Sequence, residues 1–281
     1  MLLKSIKLCL ADIKKTLKTP KLYLIISFCF FFMDNFARAI RVLAVHHDLG
    51  VTPYLYPIFM CEWENRLFVT VLMVAMMSDA PFINGLEKNI FLKVDDVTWL
   101  ISKIWFIIYQ SVLLQMVLYV MSVLVCLPRV GLSFKWGSAI EIFTRGMNSG
   151  IDYIGTSNSG AVLVSVTNPL EAVLNQMFIS VALNVFMGLL IMLFNIVFKN
   201  SLGTICAAVY VLADSIADEI EWLHMGGIRK FFPTTWLSMN IFYDDNGITY
   251  IVALSVLIIG CLILIGGMIA LAKKRIKFII T

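Results

Sequence analysis

Hydrophobic and polar positions divide the chain into long apolar runs separated by charged stretches. Three runs, Ile104 to Val125, Ala172 to Phe198 and Ile248 to Ala272, each reach the ~20 apolar residues that a helix needs to cross ~30 Å of hydrocarbon. Leu22 to Arg41 makes a fourth, apolar through Met33 and then interrupted by Asp34, Arg38 and Arg41. Leu67 to Ile83 is short but dense, and Leu202 to Ile220 carries Asp214 and Asp218 inside it. The pattern predicts six membrane spans, with residues 1–281 forming a single all-α transmembrane domain.

Ahead of the first span, Leu3, Ile6, Leu10, Ile13 and Leu17 recur at three- and four-residue steps and form one stripe. Lys4, Lys7, Lys14, Lys15 and Lys18 cover much of the remainder, and Pro20 interrupts the helix. Residues 1–20 therefore read as a basic amphipathic helix in the inner interface, facing anionic lipid or serving as a simple positive anchor.

Composition removes the soluble alternatives. Of 281 residues, 60% are hydrophobic and only 14% charged, with a mean hydropathy of +0.90. A water-soluble globule cannot hide that much apolar surface, so the bilayer is the solvent. Nor does the net charge of +4 suggest nucleic-acid binding. Its distribution is more telling, because the Lys-rich segments (residues 1–21, Lys88, Lys93, Lys103, Lys199 and the basic tail) all fall on one side of a six-span topology. The positive-inside rule places both termini in the cytoplasm. Cys9, Cys29, Cys61, Cys126, Cys206 and Cys261 lie mostly within apolar runs and read as buried thiols rather than disulfides or metal ligands. The start of the chain lacks the pattern of a cleavable signal peptide.

The loops differ in character. The inner connection 78–103 contains SDAPFINGLEKNIFLK. Pro81 closes the second span, Asn84-Gly85 supplies a turn, and Phe82, Leu86 and Ile90 are four apart. On a short helix these three would form one apolar face, ringed by Glu87, Lys88, Lys93, Asp95 and Asp96, suited to a partner's cleft or to the lipid interface. The acidic residues favour the cleft. The outer connection 128–171 is rich in Gly, Ser and Asn, and its AVLVSV run reads as a strand or part of an outer cap. Residues 212–247 keep many aromatics yet break at Gly226-Gly227 and Pro233, which suggests an outward re-entrant hairpin with Trp222 and Trp236 at the headgroups.

Candidate chemistry is sparse. Asp34 sits ~18 Å along its helix, near the bilayer centre, with Arg38 one turn on as the expected partner. A translocation path would be lined by Asp34, Arg38, Asn184, Asp214 and Asp218; interhelical bonding is the competing role, and the stronger one for Gln110, Gln115, Asn175, Asn184 and Asn195. His46, His47, Asp48, Glu62, Glu64 and His224 have no metal-site spacing, and no HExxH, GxSxG or Walker A motif occurs. No catalytic residue, metal or cofactor is therefore expected in the chain itself.

An inner entry helix, six spans, a docking helix between spans two and three, and an outer hairpin before span six together resemble the permease subunit of type-two ABC exporters. SDAPFINGLEKNIFLK is similar to that family's coupling-helix region, and KFFPTTWL to its outer hairpin. The long third-to-fourth connection departs from the pattern. The resemblance implies two permease copies, or one with a paralogue, and two separate ATPase subunits that bind ATP and Mg. Phe82, Leu86, Glu87, Lys88 and Phe91 would carry the motor's motion into the spans. Family cargo ranges over drugs, lipids, polysaccharides and peptides, and a bacterial plasma membrane fits best. A non-transporting immunity or scaffold protein, and an integral membrane enzyme with outer-face carboxylates, are the alternatives.

Overall fold

The computed structural model describes residues 2–82, 94–127, 129–131, 133–145, 160–198, 201–219, 232–243 and 248–280. The described chain is all-helical, and its one β pairing is an isolated parallel bridge between Val51 and Val130. The helices are α1 (Leu2–Thr16), α2 (Pro20–His46), α3 (Leu55–Cys61), α4 (Trp63–Met77) and α5 (Asp96–Leu124). After them come α6 (Ser138–Arg145), α7 (Ala161–Val166), α8 (Pro169–Phe198), α9 (Leu202–Glu219) and α10 (Tyr250–Ile280). Two short 3-10 turns, Pro233–Leu237 and Met239–Phe242, lie between the last two helices.

Four helices are long and apolar enough to cross a membrane: α2 with 27 residues, α5 with 29, α8 with 30, and the 23 residues Tyr250–Ala272 of α10. Of the two weaker runs, the fifth forms α9 over Leu202–Glu219, close to the expected Leu202 to Ile220, and the second comes out shorter. α4 has 15 residues, so ~22 Å, and ends at Met77 rather than Ile83. Turns over Ser78 to Phe82 follow it, because Pro81 lacks the N–H a continuing helix needs. Among the described residues, the apolar part of α9 is Leu202–Ala213. Both pack lengthwise inside the bundle, α4 against α9 and both against α8.

α8 is the axis, the most enclosed of the four long helices, whereas α10 leaves Ile251, Leu262 and Ile263 facing outward. Close approach at the axis depends on two glycines. A Cβ on Gly188 would come within 2.8 Å of Ile107 on α5, and one on Gly203 within 2.5 Å of the Ile191 carbonyl on α8.

α3 is a half-helix no hydropathy run announces. All seven of its residues are buried, against α2, α4, α5 and α8, and an extended residue at Glu62 separates it from α4. Helical ends at membrane depth are tolerated when enclosed by protein, as these are. The AVLVSV segment is a helical turn, α7, packed on α6, not a strand. Trp236, expected at the headgroups, is instead 4% exposed and buried with Thr234, Thr235, Leu237 and Met239. The 3-10 turn that carries it inserts beside α8 and α4, so the aromatic fills the bundle.

Candidate functional site

The ends of five helices meet at one end of the bundle, around the five residues that leave α4. Lys21 of α2 donates to Ser78 Oγ at 3.0 Å and pairs with the Asp79 carboxylate at 2.6 Å. Thr204 Oγ1, in the first turn of α9, donates to the Ser78 carbonyl at 3.1 Å. Asn195 Nδ2 of α8 donates to the Ala80 carbonyl at 2.7 Å. Lys103 Nζ of α5 reaches the Phe82 carbonyl at 3.5 Å, and the Phe82 ring stands edge-on to Phe106 with centroids 4.7 Å apart. Among the described residues, each backbone carbonyl named here has no helical partner and is met by a side chain from a different helix.

Two members of this hub do double duty. Asn195 Oδ1 accepts the Gly203 N–H at 2.8 Å, so one amide caps the start of α9 and holds the exit from α4. Lys103 also pairs with Asp12 of α1 at 2.9 Å, with side-chain exposures of 2% and 15%, and lies 5.7 Å from the centre of the Trp99 ring. A buried ammonium is tolerable only with such partners. Phe82 adopts φ = 59°, a left-handed conformation that costs a bulky residue about 1–3 kcal/mol and persists only where surroundings impose it.

Residues 78–82 are the root of the inner loop that the sequence singles out for docking. Of its expected docking residues, Phe82 is turned toward α5, while Leu86, Glu87, Lys88 and Phe91 lie outside the described residues. Asp95, expected on the loop's charged rim, is the N-cap of α5 and accepts from Thr98 N at 3.1 Å and Thr98 Oγ1 at 2.7 Å. Those bonds, the hydroxyl's foremost, hold its carboxyl below the ordinary aspartate range.

A second polar cluster lies deep between α3, α5 and α8. The Tyr56 hydroxyl donates to Gln115 Oε1 and is 3.3 Å from Ser180 Oγ. Gln176 Nε2 donates to Ser180 Oγ and to the Leu237 carbonyl, both at 3.0 Å. Gln176, Ser180 and Asn184 follow one another at four-residue steps along α8 and are all buried. Gln115 Nε2, Gln176 Oε1 and Asn184 Nδ2 have no hydrogen-bond partner among the described residues. Bonding between helices is thus the established role of Gln115, Gln176 and Asn195, whereas the Asn184 amide is not so used.

The remaining candidates are dispersed. Asp34 pairs not with Arg38, which is exposed, but with Arg41 at 2.6 Å. Seven residues make nearly two full turns, so Arg41 lies closer to the Asp34 face than Arg38 does. The Val125 carbonyl at the end of α5 holds it there at 3.1 Å. Asp214 and Asp218 fall on α9 where only the backbone is described. At the far end His46 and His47 stack edge to face and Arg129 pairs with Asp48 at 3.0 Å. Lys4, Lys7, Lys14 and Lys15 are exposed on α1, and Lys18 is exposed just after it.

Asp12, Asp79 and Lys103 are hub members that sequence reasoning passed over. The available signals were a lone acid on a Lys-rich helix and a lysine at the edge of an apolar run. Comparison with protein-family models, curated proteins and solved structures returned no significant match for this chain.

Proposed function

We propose that this chain is the membrane-embedded permease subunit of an ATP-driven exporter, moving an amphipathic or hydrophobic substrate across a bacterial plasma membrane. In this reading α4 and α9 complete six spans, both termini are cytoplasmic, and residues 212–247 form the outer hairpin. The ATPase is a separate subunit, present twice, that brings ATP and Mg and docks on loop 78–103. A second permease, identical or paralogous, completes the path.

The observation that carries the proposal is the hub. A loop that merely joined two spans would need no more than its own turn bonds. This one is tied at its root to α2, α5, α8 and α9 directly and to α1 through Lys103. A push on the loop is thereby delivered to five helices at once, the mechanical requirement for a motor that sits outside the membrane. The basic face of α1 at the same end supports this orientation, since Lys-rich segments tend to stay on the cytoplasmic side.

The test is mild-detergent purification of the tagged protein from its native host, followed by mass spectrometry. An ATPase with Walker motifs, present at equal stoichiometry and lost from a Leu86→Ala/Phe91→Ala variant that still inserts, is the expected result. Its absence under conditions that preserve other membrane complexes would refute the exporter and favour a scaffold.

A further inference from the structure

α1 presents three faces of different chemistry. Ser5 and Cys9 are buried on the side that packs against α5, and Asp12 continues that line into the Lys103 pair. Leu2, Leu3, Ile6 and Leu10 project outward, Leu3 with 76% of its surface exposed, and Leu17 just beyond the helix is exposed too. Lys4, Lys7, Lys14, Lys15 and Lys18 are exposed as well. Asp12 is the only acid in the helix, and Lys103 occupies it. The outward surface is therefore wholly basic and apolar.

An acidic soluble protein would meet the lysines and leave the leucines in water. A lipid surface satisfies both, with leucines among acyl chains and ammonium groups on phosphates. Three residues separate α1 from α2, the first helix able to cross the membrane, and the Tyr23 hydroxyl donates to the Leu17 carbonyl at 3.0 Å. That short tether confines α1 to the bilayer surface.

We infer that α1 binds anionic lipid headgroups of the inner leaflet, and that this binding holds α1 docked on α5 and so tightens the inner hub. Lys103 is the link. It is buried between Asp12 and the Phe82 carbonyl, and withdrawal of α1 would take the Asp12 carboxylate away from a buried cation. Whatever favours docked α1 therefore stabilises the hub, and a loosened hub weakens lipid binding in return. The inference goes beyond the exporter reading and needs no motor.

Cys9 reports docking, because its thiol lies within the α1–α5 contact. Burial there, then the Asp12 charge, raises the pKa of that thiol, so a docked helix reacts slowly with maleimide. The unaltered full chain is placed in phosphatidylcholine nanodiscs with or without phosphatidylglycerol, and labelling at Cys9 is timed by peptide mass spectrometry. Phosphatidylglycerol should slow labelling at least ~10-fold, given five lysines near an anionic surface. Replacing all five with Gln should abolish that difference. Asp12→Asn should label fast in both lipids, and inorganic phosphate added to phosphatidylcholine discs should change nothing. Equal wild-type rates in the two lipids would overturn the inference. So would a lipid effect that survives the five Gln replacements, slow labelling of Asp12→Asn, or slowing by phosphate alone.

Discussion

Replacing Asn195 with Leu removes the one side chain that joins α8, α9 and the exit from α4. Leucine matches its branching and number of heavy atoms but is bulkier, so no cavity is created and some overpacking adds to a chiefly polar cost. Two backbone groups lose their partner, the Ala80 carbonyl held at 2.7 Å and the Gly203 N–H held at 2.8 Å, in a site where Asn195 is 8% exposed. An orphaned buried group costs about 1–3 kcal/mol, and interhelical bonds in membranes fall at the low end of that range, so the pair contributes about 2–4 kcal/mol. At about 2–4 °C per kcal/mol for a chain of this size, the melting midpoint should fall by about 5–15 °C. Asn195→Asp keeps the acceptor used by Gly203 but loses the donor to Ala80, so it should fall by about half as much or more. Asn184→Leu is the control, since the Asn184 amide nitrogen has no partner to lose and its replacement should cost less than about 1 kcal/mol. The assay is thermal unfolding in mild detergent followed by a thiol-reactive fluorophore, to which the buried cysteines become available. Equal midpoints for wild type and Asn195→Leu, or a larger loss for Asn184→Leu, would refute the hub as a structural junction.

Three further outcomes follow from particular contacts. Gly203→Ala would drive a methyl against the Ile191 carbonyl at 2.5 Å, which is backbone and cannot swing away, so α9 must shift from α8; destabilisation of about 1–3 kcal/mol is expected in the same melting assay. Tyr56→Phe leaves Gln115 Oε1 without its donor in the cluster between α3, α5 and α8, and should cost about 1–3 kcal/mol, whereas a loss near zero would show that water supplies the bond. Asp95 caps α5 in its charged form and its carboxyl is held below the unfolded value, so its contribution is present at neutral pH and fades as the pH falls through the range below about 4; Asp95→Ala should be less stable than wild type by about 0.5–2 kcal/mol at pH 7, with that difference vanishing in acid.

The long apolar helices were legible because length and hydropathy are enough to recognise a span. α2 and α8 contain their expected runs, α5 and α10 miss only Val125 and the pair Ile248 and Thr249, and the three- and four-residue rhythm that starts at Leu3 does mark α1. Which way each helix faces was not legible, since a bilayer rewards apolar residues on every side and hydropathy does not encode rotation. That is why Arg41 rather than Arg38 meets Asp34, and why Asp12, apparently one more surface charge, is buried against Lys103. α3 escaped notice because seven residues, Leu55 to Cys61, are too few for a helical period and were embedded among polar neighbours. Trp236 read as an interfacial aromatic from composition alone, yet packing put it inside. At the loop root Ser78 to Phe82 the sequence marked only the end of a span, through Pro81, while its four partners come from positions 21, 103, 195 and 204, contacts that only the tertiary fold brings together.

The central claim is that the root of loop 78–103 transmits movement from a motor to the bundle. Its most direct test is hydrogen exchange on the chain reconstituted in lipid with the ATPase that the proposal expects to co-purify, comparing the ATP-bound state trapped by a non-hydrolysable analogue with the nucleotide-free state. The account expects protection at residues 78–82 to change together with that of the inner ends of α2, α5, α8 and α9, and Asn195→Asp to uncouple α8 and α9 from the loop while the ATPase still binds. Nucleotide-dependent change confined to the ATPase, with the inner hub identical in both states, would contradict it.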